Sequence, residues 1–83
     1  MDHIIAVIHP FTFKQEVLVY SNGKCIDTIE TTMDLLSDTI KSAAKEYGIS
    51  KVDLKGADEY TNKIKKDLND LSKFNMFLDV DIY

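Results

Sequence analysis

Residues 49–71 read ISKVDLKGADEYTNKIKKDLNDL, and this stretch decides the fold. Val52 and Leu54 alternate with polar neighbours, the two-residue period of a half-buried strand. Gly56 permits a sharp exit from that strand. Tyr60, Ile64, Leu68 and Leu71 then recur at helical spacing, with Asp58 and Glu59 in the first turn, where acids suit the exposed N–H groups and the helix dipole. A strand feeding directly into an amphipathic helix implies an α/β sheet. The stretch discloses no activity.

Working outward, Gly48 reads as the C-cap of a preceding helix whose apolar stripe is Met33, Leu36, Ile40, Ala43, Ala44 and Tyr47. Thr31 or Thr32 is the expected N-cap, with Asp34 in the first turn. On the other side, the segment Asn75 to Tyr83 alternates Leu78, Val80 and Ile82 with Asp79 and Asp81, which predicts a half-exposed edge strand.

Near the start, Ile4-Ile5-Ala6-Val7-Ile8 is continuously apolar and stopped by Pro10, as suits a central strand buried on both faces. Phe11-Thr12-Phe13 turns the chain. Lys14 to Tyr20 and Cys25 to Glu30 read as two further strands. Asn22-Gly23 between them tolerates the positive φ angles of a type I′ turn. A regular two-residue hairpin sets Tyr20 opposite Cys25, Leu18 opposite Asp27 and Glu16 opposite Ile29 on one side. Val19–Ile26 and Val17–Thr28 then lie on the core side.

The order is therefore β-β-β-α-β-α-β in one domain, residues 1–83, of the two-layer α+β kind within the α/β class. Right-handed crossovers give a five-stranded mixed sheet of order 3-2-1-4-5, with strand 2 antiparallel to the rest and both helices on one face. This topology resembles the core of the ribonuclease H-like fold over nearly the whole chain, on element order and without a sequence motif. The resemblance implies a metal-dependent nuclease with a cluster of carboxylates, one of them on the first strand. Ile4–Ile8 contains no acid, and Asp2, Asp53 and Asp58 are scattered around it. Cleavage of nucleic acid with divalent metal is not expected.

Other chemistries are equally thin. His3 and His9 are six residues apart, so on an extended strand they share a face but sit roughly 20 Å apart and cannot hold one ion. Cys25 is the only cysteine, which excludes an internal disulfide and points to a reducing, cytoplasmic setting. No neighbour in sequence activates it as a nucleophile. Lys55-Gly56-Ala57 lacks the glycine density of a phosphate-cradling loop. Lys63, Lys65, Lys66, Asp67 and Asp70 read as a solvated helix face. The expected catalytic, cofactor-binding and metal residues are none.

The chain of 83 residues has a net charge of −4, with 45% hydrophobic and 29% charged residues. That balance disfavours direct nucleic-acid binding, which needs a basic face. The apolar run at the start is too short for a membrane span or a signal core. Two functions are compatible with these residues. The first is a small non-enzymatic protein-binding module, such as a modulator or inhibitor of a larger nucleic-acid-acting enzyme or complex. The alternative is a nuclease or nucleotide binder with a site at the carboxyl ends of strands 1 and 4, near His9, Lys55, Gly56 and Asp58. Because the helices cover one face only, Leu18, Tyr20, Cys25 and Ile29 are expected on the open face. That face would bind another protein or a second copy of the chain.

Overall fold

Ile4, Ala6 and Ile8 point to the same side of the first strand and are buried there, and the rest of the molecule is built on that side. The computed structural model describes residues 2–56, 58–70 and 77–82. Its strands are β1 (His3–Val7), β2 (Lys14–Ser21), β3 (Lys24–Thr32), β4 (Lys51–Lys55) and β5 (Asp79–Ile82). The helices are α1 (Leu36–Tyr47) and α2 (Asp58–Leu68), and a short 3₁₀ turn, Met33–Leu35, leads into α1. The sheet order is 3-2-1-4-5. β2 runs antiparallel to β1 and β3, and β4 is parallel to β1 and β5. Leu71 and residues 75, 76 and 83, assigned above to the second helix and the last strand, lie outside the described residues.

Both helices lie on one face. α1 packs on β1, β2 and β3, α2 packs on β4 and β5, and the two helices touch each other. Val17, Val19, Val52, Leu54 and Val80 meet Leu36, Ile40, Ala43, Ala44, Ile64 and Leu68 in one core. Each buried valine, leucine or isoleucine contributes about 1.5–3 kcal/mol on leaving water, which is how a small two-layer sheet offsets its chain entropy.

The hairpin turns as its sequence predicts, with φ of 54° at Asn22 and 78° at Gly23. A side chain at Gly23 would have open space around it, so only backbone strain opposes substitution. Gly23→Val should therefore destabilise the protein by about 1–2 kcal/mol in urea unfolding, the penalty of a left-handed residue with a branched Cβ. A change near zero would mean that the turn refolds into another type.

Beyond the turn the register departs from the regular hairpin. Tyr20 faces Cys25 as expected, but Val19 faces Asp27, Leu18 faces Thr28 and Glu16 faces Glu30. Ile26 is the extra residue of a bulge and is 51% exposed. One inserted residue moves every later β3 side chain to the opposite face. Ile29 thereby pairs with Val17 and packs against the core, so it is not on the open face. The gain is physical: in the regular register the only large apolar residue of 28–32 would point to water.

Thr32 holds the expected N-cap position, before the 3₁₀ turn that leads into α1, but without a side-chain bond. Thr31 and Thr32 finish β3, and neither start of the helical segment has a side-chain cap hydrogen bond. The Thr31 hydroxyl meets the Thr39 hydroxyl at 2.8 Å, and Thr39 donates to the Leu35 carbonyl. At the other end of α1, Tyr47 donates to Asp27 Oδ2 at 2.6 Å, tying the helix to the edge strand. That bond to a carboxylate, chiefly, pushes the phenol up to about 12. The protonated phenol is the favoured form, so its contribution is complete below about pH 10 and is lost as pH rises towards 12. The stability gap between wild type and Tyr47→Phe should therefore narrow over that interval. A gap independent of pH would show that the hydroxyl does not bind Asp27 in solution.

Candidate functional site

Gln15 is fully buried at the start of β2, and its amide is spent on the preceding loop. Its Oε1 accepts from the His9 N–H at 2.6 Å, and its Nε2 donates to the carbonyls of His9 and Thr12, both at 2.9 Å. The Thr12 hydroxyl accepts from the Lys14 N–H at 3.3 Å. A buried polar side chain needs such partners, and here the partners are the backbone of one turn. The turn is thus fixed from inside. Its outer side carries Phe11, 100% exposed, and Phe13, 82% exposed.

This loop borders a hollow of about 320 Å³ whose other walls are Met33, before α1, and Tyr60, in the first turn of α2. A second hollow of about 290 Å³ lies between α1 and α2, and it shares Met33 and Tyr60 with the first. Its lining is polar: Asp34, Asp38 and Asp67 face Lys41 and Lys63 there, with Ser37 between. The Lys41 side chain is only 3% exposed, and its ammonium donates to the Asp67 carbonyl at 3.1 Å. The two hollows adjoin at Met33 and Tyr60, one aromatic on the loop side and the other charged on the helix side.

The open sheet face is mixed. Leu18 and Tyr20 lie on it, half-buried beside Ile5 and His3, and the His3 and Tyr20 rings stack with centroids 5.2 Å apart. Cys25 is exposed at its β3 margin, with Sγ 3.4 Å from the Asp27 carbonyl. Towards β5 the face becomes ionic. The Lys51 ammonium bonds Asp81 and lies 3.6 Å from Asp79 and 3.9 Å from Asp53. The Asp81 bond above all holds the lysine pKa above its usual value. Of the four residues expected on this face, Leu18, Tyr20 and Cys25 are there and Ile29 is not.

At the carboxyl ends of β1 and β4 the described backbone runs close together. The Ile8 N–H donates to the Lys55 carbonyl at 2.7 Å, and Gly56 lies close against Ile8. His9 Nε2 is 4.0 Å from Glu16, across the hairpin from the end of β4. Asp58 opens α2. Among the described residues no three His, Cys, Asp or Glu side chains converge to hold a metal ion, and no helix among them is long and apolar enough to cross a membrane. Comparison with family models, curated proteins and solved structures gave no match.

In the sequence, Phe11-Thr12-Phe13 reads only as a turn. Its signal was nevertheless present. Two phenylalanines flank one threonine outside any strand or helix period, where no buried face is available to receive them.

Proposed function

We propose that this protein is a small non-enzymatic protein-binding module that engages its partner through the Phe11–Phe13 loop. The observation that carries the reading is the buried Gln15 amide holding a loop whose two aromatic side chains are left in water. Single exposed apolar residues are ordinary. Two phenylalanines on one pinned turn, above a hollow lined by Met33 and Tyr60, form a patch of the kind that marks an interaction surface. Each ring can contribute about 1.5–3 kcal/mol when buried by a partner, and the loop is already ordered, so little of that is lost to ordering it. The net charge of −4 favours a partner with a basic surface, such as a nucleic-acid-acting enzyme or complex that the module modulates or inhibits. We favour this over a metal-dependent nuclease because the first strand, His3–Val7, carries no acid.

A second reading, a homodimer through the open sheet face, is favoured by the adjacent Ile5, Leu18 and Tyr20. One set of proteins separates the two. Wild type, Phe11→Ser/Phe13→Ser and Leu18→Lys are immobilised and exposed to host extract, and retained proteins are quantified. The loop reading expects a defined partner retained by wild type and Leu18→Lys but reduced at least tenfold on the double serine variant. Equal retention on all three removes the loop from the function. Sedimentation at micromolar concentration then reports the dimer, which Leu18→Lys should dissociate if the open face forms it.

A further inference from the structure

The two adjoining hollows name their occupant more closely than the loop does. We infer that the hollows, from the Phe11–Phe13 loop to the α1–α2 cleft, together hold a short segment of the partner protein. That segment carries an apolar side chain and, within a few residues of it, a lysine or arginine. The inference rests on the protein-binding reading and deepens it.

Its apolar half follows from the first hollow, where Phe11, Phe13, Met33 and Tyr60 can enclose one aliphatic or aromatic side chain. Its basic half follows from charge. Asp34 and Asp38 line the second hollow and are exposed. Among the described residues neither has a hydrogen-bond or ion-pair partner. They are four residues apart around the start of α1, close enough to repel one another. Of the two lysines in the cleft, Lys41 is buried and its ammonium is directed to the Asp67 carbonyl, leaving Lys63 alone on the outer wall. Among the described residues, three carboxylates against two ammonium groups leave the cleft with a surplus of negative charge. A guest cation between Asp34 and Asp38 relieves their repulsion, whereas a guest carboxylate adds to it. Shared walls at Met33 and Tyr60 put the apolar and acidic ends within reach of one short peptide, since an extended chain covers about 3.3 Å per residue.

The test is a titration of the isotope-labelled full chain, followed by amide chemical shifts. The probes are capped synthetic peptides in a glycine–serine background. Each has one leucine or phenylalanine and one arginine placed one to four residues away. Matched peptides carry glutamate for the arginine, or alanine for the apolar residue. The expected result is saturable shifts at Met33, Ser37, Asp38, Tyr60 and Lys63 with the arginine peptides and not with either control. Asp34→Asn with Asp38→Asn should weaken that binding roughly three- to tenfold, the worth of one or two solvent-accessible ion pairs. The wild-type spectrum elsewhere serves as the check that this variant folds. Glutamate peptides binding equally well, shifts confined to the open sheet face, or no saturable shift with any peptide would overturn the inference. None of those outcomes touches the loop reading, which fails separately if the double serine variant keeps its partner.

Discussion

Replacing Gly56 with alanine should lower the stability of this protein by roughly 3–5 kcal/mol, the sum of a strained backbone and a forced overlap with Ile8. Gly56 has φ of 155°, a conformation that side-chain-bearing residues rarely adopt. A Cβ built there lies 2.7 Å from the Ile8 carbonyl oxygen and 2.8 Å from the Ile8 Cβ. Ile8 cannot retreat, because its side chain is buried in the core and its N–H is bonded to Lys55. The overlap must therefore be relieved by parting β1 from β4, the central parallel pair of the sheet. A domain of this size has a total stability of about 5–15 kcal/mol, so the variant should be largely unfolded at modest urea concentration. Circular dichroism across a urea series measures it, with Gly23→Val as the comparison in which only φ is at stake. A loss for Gly56→Ala no larger than that of Gly23→Val would mean that β1 and β4 separate easily.

The same glycine marks the boundary between the two clearest periods in the sequence. Residues 49–71 carry two periods that change at Gly56, and both survive as β4 and α2. Ile4–Ile8 is too apolar for an edge and becomes the centre of the sheet. These are local signals, each set by which side chains a regular element presents to one face. The bulge at Ile26 is not local. It follows from the need of Val17 and α1 for an apolar neighbour at Ile29, and a regular hairpin pattern cannot express it. Lys41 and Thr61 were equally illegible: polar residues within helical stripes read as solvated until tertiary packing covers them. The candidate site was missed for a related reason. An exposed aromatic loop has no period, and what makes it notable is the amide beneath it.

That amide gives the second large effect. Gln15→Leu keeps the volume of a fully buried side chain but removes three hydrogen bonds, to the His9 N–H and to the carbonyls of His9 and Thr12. The backbone groups left behind are part-buried, so the expected loss is roughly 2–4 kcal/mol, offset in part because leucine itself is easier to bury than an amide. Gln15→Glu isolates the cause. A carboxylate can still accept from the His9 N–H but cannot donate to either carbonyl, and it brings a buried charge. Burial should raise its pKa, so this variant should be less stable than Gln15→Leu at neutral pH and recover part of the difference in mild acid, when the protonated acid regains a donor. Phe11→Ala, by contrast, should leave stability unchanged, because the ring is wholly in water. The two classes of variant should nevertheless converge in function. With the amide gone, the loop exchanges its N–H protons faster and presents Phe11 and Phe13 in many arrangements, so partner binding falls although both rings remain. Hydrogen exchange over residues 9–14, read beside partner retention, decides the matter. If Gln15→Leu loosens the loop and the partner is held as tightly as before, the amide serves only the fold, and pre-organisation of the two phenylalanines has no part in binding.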